Sequence, residues 1–428
     1  MTSPTIPVEL IAPLFSPQSF ADPQFIDVMM REVREKYPLA IAQVPGFAPH
    51  WIVSKWADLR EITRQDEIFH SNENSKTLVT EAGQQMIYDY TGGKPNVLET
   101  LVHMDPPVHG KYRAVAAPQF MPGPIAAREE QVRGIARKYI DKLIAHAPEV
   151  DFAAEIAFYY PLEVIMTLTG APPEDLHKIL QMAQWFFNYA DPDLKRPDFD
   201  PTDPVQVVKT WTMVLEFFNE YGNKIIADRR ACPKDDIATI LANAKIDGCP
   251  MSESSLGSYF LILGTAGHDT TAASTATAMW ILAEQPELLA RLKAQPEDIP
   301  KFIEEVVRWA TPVKHFIRTA ARDYQLRGQT IKKGDRLYLS YVSANRDEEV
   351  FSDPFTFNID RPANKQQIAF GYGAHMCIGQ HLAKMELRVF WQELLPRLDW
   401  VTLAGTPKVA MSELVPGPKS VPIRFSAK

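Results

Sequence analysis

Cysteine is scarce in this chain: its 428 residues hold three, Cys232, Cys249 and Cys377. No two of them form a Cys-x-x-Cys, which argues against paired zinc knuckles and against covalently attached haem. An odd, sparse count fits a reducing compartment. Cys232 and Cys249 stand beside Pro233 and Pro250 in turn-like sequence and read as incidental thiols. Lysine and arginine are missing from the first thirty residues, which prolines also interrupt, so neither a signal peptide nor a membrane anchor is expected. Positive charge is in deficit overall. The net charge is −8 at pH 7 with no run of like charge, which argues against a nucleic-acid partner. Internal repeats and low-complexity tracts are also absent. These absences together predict a soluble, cytoplasmic protein.

What is present is ordinary globular material. With 46% hydrophobic and 23% charged residues, the chain can bury a large core. Its prolines are scattered, and the best linker candidate is "DPDLKRPDFDPTDPVQ" at 191–206. Its flanks, "LHKILQMAQWFFNYA" and "VVKTWTMVLEFFNEYGNKIIADRR", read as amphipathic helices. The segment is therefore either a domain boundary or a long mobile connection, and such connections often serve as lids. Strand-like runs are few and short: "HWIVS", "RLYLSYV" at 336–342 and "VPIRF". The expected class is mainly α with small β-sheets (α+β).

The stretch Leu256–Ala283 carries only His268 and Asp269 among Asp, Glu, Lys, Arg and His. It is long enough to span a bilayer, but a carboxylate at its middle would cost roughly 2.5–3.5 kcal/mol there. A central helix buried on nearly every side fits better. A polar cluster inside such a helix needs a reason.

Three other short motifs carry chemistry. In "IPKFIEEVVRWATP", Glu305 and Arg308 share one helical face among Phe302, Ile303, Val306 and Val307, so the pair is expected to be buried. In "DPPVHGKYRAV", His109 and Arg113 present two donors on one face. In "FGYGAHMCIGQ", Gly371 and Gly373 permit a tight turn that aims N–H groups at Cys377, and helical sequence begins just after it. Read alone, this stretch admits a buried thiol, a zinc site of His375, Cys377 and His381, or a thiolate ligand for haem iron.

Phe370-Gly371-x-Gly373-x-His375-x-Cys377-x-Gly379 resembles the haem-binding loop of the cytochrome P450 monooxygenases. Ala266-Gly267-x-Asp269-Thr270-Thr271 resembles that family's oxygen-activating helix, and Glu305-x-x-Arg308 its core salt bridge. Asp105-Pro106-Pro107-x-His109 and "SANRDEEVFSDPFTFNIDR" extend the likeness, which is nearest to soluble bacterial members that oxidise a monoterpene alcohol. Gly110 departs from the pattern, since a threonine often follows the histidine there. A glycine inside a helix costs about 1 kcal/mol against alanine.

The resemblance implies one cytochrome P450 domain over residues 1–428, a helical prism with a smaller β-rich region, binding haem b. It implies Cys377 as the iron ligand, with Phe370, Gly371 and Gly379 shaping the loop around it. His109, Arg113, Arg318 and His375 would bind the haem propionates, and Glu305, Arg308 and Arg361 would form a buried structural triad. Asp269 and Thr270 would handle protons, Gly267 would make room for oxygen, and His268 has no assigned role. Ala266, Val313, Phe316, Phe186 and Phe187 would meet the substrate. That substrate would be a monoterpene, a monoterpene alcohol or an aromatic hydrocarbon. Fatty acids should bind worse, because no basic residue stands out to hold a carboxylate. Electrons would come from NAD(P)H through a ferredoxin reductase and a [2Fe–2S] ferredoxin, with Lys111, Lys384 and Arg388 as a candidate docking face. The alternative is a haem-thiolate ligand-binding or sensor protein, which would have no use for Asp269 and Thr270.

Overall fold

The computed structural model describes residues 3–200 and 203–428. Helices dominate, as expected. Those that build the site are α1 (Val108–Ala116), α2 (Glu129–Ala145), α3 (Tyr160–Thr169), α4 (Leu176–Phe187), α5 (Pro204–Ala231), α6 (Glu253–Glu284), α7 (Ile299–Ala310) and α8 (Gln380–Leu394). The strands used below are β1 (Leu39–Ala42), β2 (His50–Val53), β3 (Phe69–His70), β4 (Glu149–Asp151), β5 (His315–Ala320), β6 (Arg336–Ser340), β7 (Leu398–Leu403) and β8 (Pro422–Ala427). A five-stranded sheet runs β1-β2-β6-β5-β3, and a three-stranded sheet runs β7-β8-β4.

The long apolar stretch is α6. Ser252 caps it by accepting the Ser255 N–H at 3.1 Å, and it ends before Pro286, which lacks the N–H to continue the ladder. Helices α3, α5, α7 and α8 all pack on it, which is why residues around its whole circumference are buried. No helix among the described residues is long and apolar enough to cross a membrane.

One expectation needs correction. "RLYLSYV" reads as one strand to 342, but β6 stops at Ser340, whose hydroxyl accepts the Ser343 N–H and starts a one-turn helix over Tyr341–Ala344. The 191–206 segment is anchored at its start. Asp191 is fully buried and accepts from Lys419 Nζ at 2.8 Å and from the Met411 N–H at 2.8 Å, which ties the segment to the C-terminal turn. Positions 201 and 202 lie outside the described residues.

Strand β6 runs parallel to β2 and antiparallel to β5, pairing Leu337 with Arg318. That register holds Arg318 on a rigid strand at the wall of the central cavity.

Candidate functional site

The loop before α8 is shaped by two glycines at positive φ, Gly371 (+71°) and Gly373 (+75°). A Cβ at Gly373 would sit 2.0 Å from the Thr63 carbonyl oxygen, so only glycine fits there. The turn closes with the Cys377 N–H on the Phe370 carbonyl at 2.8 Å. Cys377 is exposed by area, yet the surface it exposes faces a cavity deep in the fold. Burial pushes its thiol up; the Gly379 N–H, the Arg113 guanidinium and the Gln380 N–H pull it down without cancelling that. Helix α8 starts at Gln380, so these N–H groups belong to its N-terminal turn.

Five basic side chains line the same cavity: Lys76, His109, Arg113, Arg318 and His375. His109 and His375 stack with ring centroids 4.1 Å apart. Arg113 donates to the Met376 carbonyl at 2.7 Å, Lys76 to Ser71 Oγ at 2.8 Å, and Arg318 to the Ile317 carbonyl at 3.1 Å. Each of these acceptors is neutral, and no carboxylate pairs with any of the five among the described residues. Burial pushes all five towards their neutral forms. Such a cluster lacks an anion. Lys76 is the member that sequence reading missed, because a single lysine in "SNENSKTLV" belongs to no motif. It also corrects the expectation about basic residues, since Lys76 borders the distal space as well.

Above the sulfur, the cavity is walled by α6 and by the segment after α7. Ala266, Gly267 and Thr270 line it, with Val313 and Phe316 opposite. A contiguous distal chamber shares Lys76, Val102, Ile262, Ala266, Thr270, Val313 and Phe316 and reaches Phe186 and Phe187 at the end of α4. A Cβ on Gly267 would come within 3.0 Å of Ile165 Cγ1, so its missing side chain lets α3 approach α6. At Gly379, its chain neighbours aside, such a Cβ would come within 4 Å of Cys377 Sγ alone among the described residues, at 3.9 Å, and Gly379 lines the cavity.

Thr270 donates its hydroxyl to the Ala266 carbonyl one turn back, at 2.8 Å. Asp269 does not line either chamber. Its Oδ1 lies 3.0 Å from His268 Nδ1, and its Oδ2 is buried without a partner. His268 Nε2 is 2.7 Å from the Phe158 carbonyl, an acceptor, so the ring proton belongs on Nε2. The sequence spacing does not announce this His268–Asp269 contact, because neighbours on a helix ordinarily diverge by about 100°.

Glu305, Arg308 and Arg361 come together behind α7, all buried and away from the cavity. Lys111, Lys384 and Arg388 each already meet a carboxylate: Asp247, Glu304 and Glu129, all at 2.6 Å. His375, Cys377 and His381 do not form a metal site of their own; among the described residues no three His, Cys, Asp or Glu side chains gather to hold an ion.

The arrangement fits haem. A basic cluster with no carboxylate partner matches two carboxylates at the edge of a macrocycle, a sulfur faces the same space, and Gly379 brings no side chain into it.

A family model described as Cytochrome P450 matches residues 299–422. Cytochrome P450-terp of a Pseudomonas species is 41% identical over 422 residues, covering 99% of this chain and 98% of the relative. Linalool 8-monooxygenase of Pseudomonas putida is 33% identical over 87% of this chain and 88% of its own length. The crystal structure of CYP108D1 from Novosphingobium aromaticivorans superposes with a TM-score of 0.90 at 38% identity, covering 99% of this chain and all of that one.

Proposed function

The chain belongs to the cytochrome P450 family and is a haem b monooxygenase, and from that premise we propose that it hydroxylates a compact hydrophobic molecule, a monoterpene, monoterpene alcohol or aromatic hydrocarbon. Haem held by a cysteine thiolate supplies the chemistry that inserts one atom of O2 into a C–H bond and reduces the other to water. Cys377 is the residue that holds the iron. His109, Arg113, Arg318, His375 and Lys76 bind the two propionates, which restores the missing negative charge. Phe370, Gly371 and Gly379 form the floor.

Substrate sits in the distal chamber against Ala266, Val313, Phe316, Phe186 and Phe187, whose apolar surfaces exclude water. Thr270 Oγ1 holds a proton at the cavity wall, and Asp269 exchanges protons from behind it. Electrons arrive through an NAD(P)H-dependent reductase and a [2Fe–2S] ferredoxin. The pairing of Lys111, Lys384 and Arg388 with acids weakens the idea that they alone make the docking face.

The observation that carries this reading is one cavity bounded by Cys377, the basic cluster and Thr270 together. Its test is a pair of spectra. The reduced, CO-bound protein should show the far-red Soret band of thiolate-ligated haem. The ferric protein should change spin state with compact terpenes or arenes; a response only to long-chain or charged compounds would overturn the substrate assignment.

A further inference from the structure

The distal chamber ends at a carboxyl. Glu413 is the only acid among the described residues that line it, and it is 7% exposed. Its Oε1 accepts from Tyr189 Oη at 3.2 Å, while Oε2 is buried with no partner. Every other wall of the chamber is apolar, basic or a neutral polar group, and Thr270 and Ala266 lie along the same space.

The turn that carries Glu413 is held in place by its neighbours. Ser412 Oγ donates to the Phe187 carbonyl at 2.9 Å, and the Met411 N–H reaches buried Asp191 at 2.8 Å. His315 Nδ1 is 3.1 Å from the Glu413 backbone carbonyl, and the Lys314 N–H donates to the Leu414 carbonyl at 2.9 Å. A buried carboxyl on a backbone this constrained, with Oε1 bonded to Tyr189 and Oε2 left over, is a built recognition group.

We propose that Glu413 is a specificity-determining residue, holding the hydroxyl of a compact alicyclic or aromatic alcohol so that its carbon skeleton extends towards Thr270. This rests on the distal chamber being the substrate site.

The choice of an alcohol follows from hydrogen-bond capacity. An ionised Oε2 needs a donor, and a protonated one needs an acceptor; a hydroxyl is both. Burial pushes the Glu413 carboxyl up, towards its protonated form. A plain hydrocarbon leaves Oε2 stranded, and a carboxylate substrate would meet a like group. Glu413 also borders a second cavity, between Phe15 and Trp211, so water entering from that side is the competing partner.

The experiment measures ferric spin-state titrations of the holoenzyme with 4-isopropylcyclohexanol and isopropylcyclohexane, which share a skeleton. In Glu413→Leu the preference should move about tenfold or more towards the hydrocarbon, because the alcohol then buries an unpaired hydroxyl. Glu413→Gln, whose amide both donates and accepts, should stay within about threefold of the parent. The alcohol should also be oxidised at fewer positions by the parent than by Glu413→Leu. If Glu413→Leu fails to load haem, Glu413→Met, closer to glutamate in length and lacking the carboxyl, should shift the preference in the same direction. An unchanged preference in a haem-loaded variant would overturn the role of Glu413 and assign its oxygen to water. If neither compound perturbs the parent spectrum, the substrate reading of the chamber fails instead.

Discussion

Arg308 meets Glu305 twice, Nε on Oε2 and Nη2 on Oε1, both at 2.7 Å, with neither side chain exposed. The fork also reaches outward: Arg308 Nη1 donates to the carbonyls of Asn345 and Pro354 at 2.9 and 3.0 Å. Asn345 Oδ1 in turn takes the Ile368 N–H at 2.8 Å, and the Ile368 carbonyl takes the Gly371 N–H at 2.9 Å. The pair is thus three hydrogen-bond steps from the turn that carries Cys377.

Removing one partner strands the other. Glu305→Ala leaves a buried guanidinium uncompensated, which costs roughly 3–5 kcal/mol. The expected result is little haem-loaded protein and a lowered Tm, read from the haem-to-protein ratio and a thermal melt. A variant with normal haem content and an unchanged melt would show that the pair does not support the loop.

What could be read in advance depended on whether neighbours in sequence are neighbours in space. Glu305 and Arg308 are three apart on one helix, and the cysteine loop is contiguous, so spacing and glycine chemistry revealed both. The α6 helix was legible because twenty-eight residues hold only two of the types Asp, Glu, Lys, Arg and His. Arg318 was expected from the family resemblance, but Lys76 lies far from it in the chain and meets it only in the fold, and Glu413 is a single acid in a turn. No local pattern marks Lys76 or Glu413. The end of β6 at Ser340 was hidden because Tyr341 and Val342 suit a strand as well as the buried helical turn they form.

The axial ligand has a spectroscopic signature. Cys377→Ser or Cys377→His should abolish the far-red Soret band of the reduced, CO-bound protein and its monooxygenase activity, because hydroxyl and imidazole donate less electron density to iron. An unchanged spectrum in either variant would remove Cys377 from the iron.

Glu386, on α8 below the cavity, has both carboxyl oxygens buried without partners, and burial pushes its carboxyl well up. A raised folded-state value means that its contribution is fully present below about pH 4.3, the ordinary glutamate value, and is lost as pH rises towards the folded one. Glu386→Gln stays neutral throughout. Its stability advantage over the parent, read from thermal melts, should therefore grow as pH rises from 5, by at most about 1.4 kcal/mol per pH unit. A constant difference across that range would show that Glu386 ionises freely in the folded protein.

Thr270 and Asp269 adjoin in sequence but differ in environment, so their variants should fail differently. The Thr270 hydroxyl lines the cavity and is held by a single bond to the Ala266 carbonyl, one that typically contributes about 1 kcal/mol. It can turn from that carbonyl to the cavity at small cost. Asp269 lies behind the wall, with one oxygen against His268 and the other unpartnered, which suits a group that takes up and passes on a proton. Thr270→Ala should keep consuming NAD(P)H and O2 but divert most of those electrons to hydrogen peroxide, because protons no longer arrive in order. Asp269→Asn should slow O2 consumption itself by tenfold or more, towards the 10²–10⁴ range of a positioned acid, while haem content and substrate affinity hold. His268→Phe, which removes the contact to Asp269, should slow consumption in the same direction and by less. Peroxide released per NAD(P)H oxidised separates the cases: tight coupling in Thr270→Ala removes Thr270 from the proton path, and lost haem in all three variants reduces the cluster to packing.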